Sequence, residues 1–169
     1  MENLVVSSFY KYTNLASFKS FRDKHQEFCN NLGIKGKVLV SKEGINGTVS
    51  GTKEQIERYE KNLKSNKNFK DIKFKRTFSD FHPFQKTIVR IRNEIVTSNF
   101  DVKPKKVGKR LSPAEVKKLY DTKKDFIMLD ARNDYESKIG KFKNAIIPKI
   151  ETFREFPKVI SRLNKYKNK

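Results

Sequence analysis

Gly36–Gly51, GKVLVSKEGINGTVSG, is the stretch whose reading decides the fold. Val38, Leu39 and Val40 open it as an apolar run, the chain turns at Glu43–Gly44, and Ile45, Thr48 and Val49 resume it. β-branched residues on either side of a glycine turn mark two strands of a hairpin. Gly44, Gly47 and Gly51 fall within eight residues. Glycine at that density means backbone that needs positive φ, or something packed too close for a Cβ. Two readings stay open: a hairpin that needs glycine for its own geometry, and a backbone surface offered to a phosphate or a partner.

Working outward, Leu4–Tyr10 reads as a strand. Asn14 is placed to cap a helix in which Phe18, Phe21, His25, Phe28 and Leu32 recur at helical spacing, and Gly33 stops it. Thr52 caps a second helix to about Lys64, with Ile56, Tyr59 and Leu63 on one face. Lys70–Phe78 alternates as a fourth strand, and Lys86–Arg92, KTIVRIR, adds an edge strand that Glu94–Thr97 could extend. The order β-α-β-β-α-β is the ferredoxin-like arrangement of an α+β domain.

Residues 99–110 change character, with five basic residues, one Pro and one Gly in FDVKPKKVGKR. That composition reads as a basic linker between a domain over 1–98 and a second over 111–169. Ser112, Pro113 and Glu115 open the second domain with a capping box. Phe126–Leu129, FIML, reads as a buried parallel strand ending at Asp130, the end at which open α/β sheets hold ligands. Lys141–Pro148 returns with a short strand, and Phe153–Tyr166 is amphipathic through Phe156, Val159, Ile160 and Leu163. One or two parallel strands do not make a sheet, so this part reads as an incomplete α/β domain.

The 169 residues carry 39 Lys plus Arg against 19 Asp plus Glu, a net charge of +20. The excess is spread: 19 basic and 10 acidic residues in 1–100, 20 and 9 in 101–169. Such a field attracts polyanions, chiefly nucleic acid, although a chain rich in Lys and Asn throughout also fits a general composition bias. No apolar run approaches the ~18 residues of a membrane span, and the N-terminus reads as a first strand rather than a signal peptide. The single cysteine, Cys29, forms no internal disulfide, which suits a reducing cytoplasm. Two histidines and one cysteine give no metal-ligand spacing and no metal site, and no cofactor motif is present.

Four stretches together resemble one family: Lys35–Gly51 with EGINGTVSG; His82-Pro83-Phe84 followed by KTIVRIRNEIVT; Leu129–Glu136, LDARNDYE, with IGKFKNA; and Thr152–Pro157, TFREFP. The pattern is similar to the rhodanese-domain tRNA uridine hydroxylases, across nearly the whole chain. The resemblance implies a ferredoxin-like domain followed by a rhodanese-like one, tRNA as partner, molecular oxygen as co-substrate, and 5-hydroxyuridine at the wobble position as product. It also implies a catalytic cysteine on a C-x-G-G-I-R-C-type loop beyond Lys169, so no catalytic residue is expected within these residues. A second polypeptide or a downstream frame would then supply the loop, and the chain alone would be inactive. The alternative is a non-catalytic RNA-binding fragment. Where the family pattern has Gly and a polar residue, this chain has Asn144 and Ile147.

Within that frame, Asp130 and Arg132 correspond to residues that shape the rhodanese loop, or else form an internal ion pair with each other or with Glu136. Arg90 and Arg92, two apart on a strand, share a face. With His82 nearby, and Phe81 and Phe84 flanking, they read as an RNA-backbone contact; the plain alternatives are an edge-protecting solvated face and, for His82, packing. Cys29 beside Phe28 reads as a structural thiol. Arg154 and Glu155 read as capping and pairing on the last helix. An acylphosphatase-type enzyme would want an anion-binding Arg after the first strand, where Lys11-Tyr12-Thr13 offers none.

Overall fold

A computed structural model describes residues 3–96, 108–122 and 125–166. The chain divides into two compact units, Met1–Val96 and Thr97–Lys169. Residues 99–107 of the basic stretch, and Thr97, lie outside the described residues.

The first unit runs β1 (Leu4–Tyr12), α1 (Phe18–Leu32), β2 (Lys35–Ser41), β3 (Gly44–Gly51), α2 (Lys53–Ser65), β4 (Phe74–Ser79) and β5 (Thr87–Ile91). These make a mixed five-stranded sheet in the order β4-β1-β3-β2-β5. The pairs β1–β3, β1–β4 and β2–β3 are antiparallel, and β2–β5 is parallel. The Gly36–Gly51 hairpin lies at the middle of it, with Ser41 paired to Gly44 across the two-residue turn Lys42-Glu43.

One face of the sheet carries the core. Val5, Phe9, Val38, Val40, Ile45, Val49 and Val89 pack against Cys29 and Leu32 of α1 and Ile56, Tyr59 and Leu63 of α2. Alternation along each strand puts these residues on one side. Thr52 and Gln55 close a reciprocal capping box at the start of α2, and Gly33 ends α1 in the left-handed region at φ 73°. The α1 start falls later than Asn14 suggests: the cap position is Ser17, with no side-chain cap bond. Leu15 is buried instead, its N–H donating to the Lys42 carbonyl at 2.8 Å, so the chain first crosses the hairpin turn and then coils. β4 is shorter than the alternation of Lys70–Phe78 implies. Asn66, Phe69 and Ile72 form successive turns, Phe69 N–H to Asn66 O at 2.8 Å and Ile72 N–H to Phe69 O at 3.0 Å, which bury Phe69 and Ile72 under the core.

A buried polar network ties β1, α2 and β4. The Ser7 hydroxyl donates to Glu60 at 2.8 Å, and Arg76 grips the same carboxylate through Nε at 3.0 Å and Nη2 at 2.7 Å. That satisfies a carboxylate that would otherwise be costly to bury.

The second unit holds α3 (Pro113–Asp121), α4 (Asp134–Ile139) and α5 (Phe156–Ile160), with 3-10 turns at Phe153–Glu155 and Ser161–Tyr166. The Ser112–Glu115 capping box forms as its residues dictate. The two short strands reduce to one parallel bridge, Leu129 to Ile146. The amphipathic segment after Thr152 breaks into 3-10, α and 3-10 pieces with no fully buried residue, since there is too little apolar surface to hold one long helix. Asn144, where the family pattern has glycine, takes the left-handed conformation at φ 60°, which asparagine tolerates best after glycine.

Candidate functional site

The first candidate surface belongs to the first unit and is built on β5. Arg90 lies opposite Leu39 of β2 and is exposed. Arg92 follows the strand's last residue; its N–H still donates to the Val40 carbonyl at 2.9 Å, and its side chain is exposed. Edge protection falls to other residues. Gln26 of α1 takes the outward N–H of Val89 at 2.8 Å and donates to the Thr87 carbonyl at 3.2 Å, while Arg22 Nε donates to the Val89 carbonyl at 3.0 Å. The outward edge of β5 is therefore already paired, and Arg90 is not needed to guard it.

His82 is half-buried, with Nδ1 sharing a 2.8 Å hydrogen bond with the Ser50 hydroxyl of β3. Burial, and then the charge of Lys35, hold its pKa below the usual histidine value. At neutral pH it is thus an uncharged tether that fixes the loop after β4 onto the sheet. Phe81 beside it is 70% exposed. A shallow cleft of about 200 Å³ runs along Gly36, Lys37, Phe84, Lys86, Ile88 and Arg90.

The second candidate belongs to the second unit. Asp130 follows the Leu129–Ile146 bridge, its N–H donating to the Ile146 carbonyl at 3.0 Å. Its carboxylate is buried and gripped at two points by Arg132, Nε at 2.9 Å and Nη2 at 2.7 Å, while the Arg132 N–H adds a third bond at 3.2 Å. Arg132 also donates to the Gly140 carbonyl at 2.6 Å. The bidentate arginine bonds pull the Asp130 pKa below the ordinary carboxylate range. The pair is saturated internally. It staples the end of the bridge to the C-terminus of α4, and it borders an open cleft of about 530 Å³ lined by Met128, Leu129, Gly140, Lys141 and Phe142. Phe126, Ile127 and Met128 are only half-buried and Leu129 is 37% exposed, because one bridge covers neither face of the segment.

Elsewhere, Cys29 is fully buried between the helices and the sheet, and burial pushes its thiol up to about 12. A thiol in that state is a packing group and not a nucleophile. Glu155 caps its turn, accepting from the Thr152 N–H and hydroxyl, each at 3.0 Å. No three His, Cys, Asp or Glu side chains gather into a possible metal site among the described residues. Among the same residues, no helix is long and apolar enough to cross a membrane.

α4 was not foreseen from the sequence. Its signal was available in Asn133 and Glu136, whose carboxylate accepts the Asn133 N–H at 3.1 Å. The buried His25–Tyr59 pair, 2.9 Å apart, was foreseen only as two residues on apolar faces.

A mixed five-stranded sheet backed on one side by two helices makes the first unit an α+β domain. Residues 4–95 match the UPF0176 acylphosphatase like domain, and the chain belongs to that family. A tRNA uridine(34) hydroxylase of Bacillus licheniformis is 46% identical over 162 residues, 94% of this chain and 50% of the relative. One of Cytophaga hutchinsonii is 39% identical over 171 residues, 100% of this chain and 54% of the relative. The chain thus spans about half the length of the curated relatives it matches. A solved structure of BlrB, a BLUF protein in its dark state, aligns at TM-score 0.48 and 16% identity over 55% of this chain and 74% of that one, too distant to inform the site.

Proposed function

We propose that this chain is the tRNA-facing part of an oxygen-dependent tRNA uridine(34) hydroxylase that forms 5-hydroxyuridine. The observation that carries this is the 39–46% identity, across nearly the whole chain, to relatives bearing that name. The net charge of +20 supports a polyanionic partner, and work on tRNA suits the cytoplasm. The first unit is a ferredoxin-like domain over 1–98, a reading supported by β1, β3, β2 and β4 with their two crossing helices. Residues 99–110 are the linker, and 111–169 the opening of a rhodanese-like domain. The parallel Leu129–Ile146 bridge and the Asp130–Arg132 staple at its end support that last assignment.

In this reading Arg90 and Arg92 contact tRNA phosphates, and His82 positions the adjoining loop and meets the RNA through its exposed edge. Asp130 and Arg132 hold the floor of the rhodanese site. No catalytic thiol lies within residues 1–169, because Cys29 is buried and held protonated.

The deciding experiment is nucleoside mass spectrometry on tRNA from a strain that lacks its own hydroxylase and expresses residues 1–169. The expected result is background 5-hydroxyuridine, unchanged by Cys29→Ser, with tRNA co-purifying with the chain. Restored 5-hydroxyuridine would overturn the thiol-dependent reading, and a chain that holds no tRNA would overturn the tRNA-facing one. The arginines make a separate expectation. The logarithm of tRNA affinity should fall linearly with the logarithm of salt, by roughly 0.7–0.9 per phosphate contact. Replacing Arg90 and Arg92 together by Ala should flatten that slope by about one to two contacts, and an unchanged slope places both outside the interface.

A further inference from the structure

The helices cover only one face of the five-stranded sheet. The residues that alternate with the core positions point to the other face, and the register aligns them in rows. One row crosses four strands as Tyr10, Asn46, Leu39 and Arg90, and in its middle the Asn46 amide donates to the carbonyl of buried Ile95 at 2.8 Å, which leaves Tyr10 and Arg90 as its exposed ends. The next crosses all five as Lys75, Ser8, Thr48, Lys37 and Ile88. The Ser8 and Thr48 hydroxyls meet at 2.9 Å, which fixes the side on which this second row stands. None of these helix-free positions is acidic, while Lys75, Lys37 and Arg90 are exposed cations on it. Tyr10 is 53% exposed on β1, an inner strand, one residue past its last pairing with β4. The chain places a large ring there in water, although burying it would be favourable.

The face has an electrostatic limit. Tyr12, two residues further along β1, has its hydroxyl pKa raised by burial and then by Glu43 and Glu94. Those carboxylates mark a negative rim beyond the Tyr10 row. The basic surface is thus bounded by carboxylates at the Tyr12 end.

We propose that this helix-free sheet face binds single-stranded RNA, with one base stacked on Tyr10 and the flanking phosphates held by Lys37, Arg90 and Lys75. This rests on the tRNA reading above and adds the surface and the form of RNA. The chemistry separates a single strand from a duplex. A stacking ring needs a base face that is free, as in a loop, and paired bases expose only their edges. A sheet also presents no element that enters a groove, whereas a face with an exposed aromatic two strands from Lys37 and three from Arg90, about 5 Å per strand, suits splayed nucleotides. The Ser8 and Thr48 hydroxyls lie within reach to pair with a base edge or a ribose hydroxyl. Lys37, on the strand next to Arg90, gives the bound strand a direction across the sheet that Arg90 and Arg92 alone do not.

The test is fluorescence anisotropy of the 169-residue chain with three labelled probes: a single-stranded RNA of about 12 nucleotides, the same sequence as a duplex, and a whole tRNA. The expected result is tighter binding of the single strand than of the duplex. Tyr10→Ala should weaken single-strand binding about 5- to 150-fold, the range seen when one stacking aromatic is lost, while Tyr10→Phe retains it. Lys37→Ala with Lys75→Ala should flatten the salt dependence by about 0.7 per contact removed without changing the single-strand preference. Tyr10 is largely exposed, so neither replacement threatens the core, and Tyr10→Phe controls for any change in the strand. If the duplex binds as tightly as the single strand and Tyr10→Ala changes nothing, the face is not the RNA surface, while tRNA binding through general charge still stands. If no RNA probe binds, both readings fall. Equal binding of anionic vesicles, abolished by the same replacements, would also overturn the proposal by making the surface one for any polyanion.

Discussion

Acidification from pH 7 to pH 4 should cost the first unit roughly 3 kcal/mol of folding stability, chiefly through one side chain. His25 is buried between α1 and α2, stacked on Phe21 at 5.0 Å, with Nε2 2.9 Å from the Tyr59 hydroxyl. Burial lowers its pKa from 6.5 to about 4. A folded-state pKa below the unfolded one means that the unfolded chain binds the extra proton first. Its contribution is then fully present above pH 6.5, is lost progressively as the pH falls toward 4, and stops changing below that. Each tenfold difference in proton affinity between the folded and unfolded chain is worth about 1.4 kcal/mol, which makes the loss roughly 3 kcal/mol. That is a large part of a typical domain's 5–15 kcal/mol. His82, whose pKa is also lowered by burial, works in the same direction. Urea unfolding at pH 7, 5.5 and 4.5, read from amide exchange in α1 and β1, measures it. His25→Gln keeps a hydrogen-bonding group toward Tyr59 but cannot titrate. It should lower stability at pH 7 and flatten the pH dependence; an equally steep profile in His25→Gln would refute the assignment to His25.

His25 also shows where sequence reading stops. Its spacing with Phe21, Phe28 and Leu32 places it on the apolar face of a helix, and that is where it is. Nothing in the spacing says that it faces Tyr59, 34 residues away, because that contact is made by the crossing of two helices. The elements themselves were legible wherever a local signal agreed with the periodicity. Gly33 in the left-handed region, the Thr52–Gln55 box and the Ser112–Glu115 box each act within four residues. Boundaries slipped where tertiary contacts took over. Leu15 is drawn under the hairpin turn before α1 can start, and the alternation of Lys70–Phe78 gives way to turns because Phe69 and Ile72 are buried beneath the helices.

The candidate sites divide in the same way. Asp130 and Arg132 are two residues apart, so their pairing is local and was open to reading from the sequence. The shared face of Arg90 and Arg92 follows from strand periodicity. The capping of the β5 edge by Gln26 and Arg22, the tether from His82 to Ser50, and the alignment of Tyr10 with Arg90 across four strands depend on sheet order. Composition and spacing do not encode the residue-by-residue register between those strands, so the basic stripe was visible while the aromatic on the same face was not.

The largest effects of single substitutions should fall on Gly36 and Gly44 of the opening stretch, and at Gly44 they decide between hairpin geometry and a backbone surface offered to a phosphate or a partner. Gly44 sits at φ 141°, a conformation that residues with a side chain rarely adopt, and a Cβ there would lie 2.0 Å from the Lys11 carbonyl oxygen of β1. A Cβ on Gly36 would meet the Thr48 carbonyl oxygen at 2.4 Å and the Val49 Cα at 2.8 Å. In both places the obstacle is backbone of a neighbouring strand in the middle of the sheet, which moves only if the pairing opens. The close approach the glycines permit is thus made by the protein's own strands, and the hairpin-geometry reading accounts for these two without a bound phosphate. Gly44→Ala and Gly36→Ala should each destabilise the first unit by at least about 3 kcal/mol, the range of strained backbone added to overpacking. Gly140 provides the comparison: its φ of 176° is ordinary extended backbone, and a Cβ there meets nothing within 4 Å. Gly140→Ala should stay within about 0.5 kcal/mol of the parent chain. Urea midpoints followed by amide exchange at β3 separate the cases. Gly44→Ala and Gly36→Ala chains that unfold at the parent midpoint yet lose tRNA would restore the other reading, in which the hairpin backbone is a surface for phosphate.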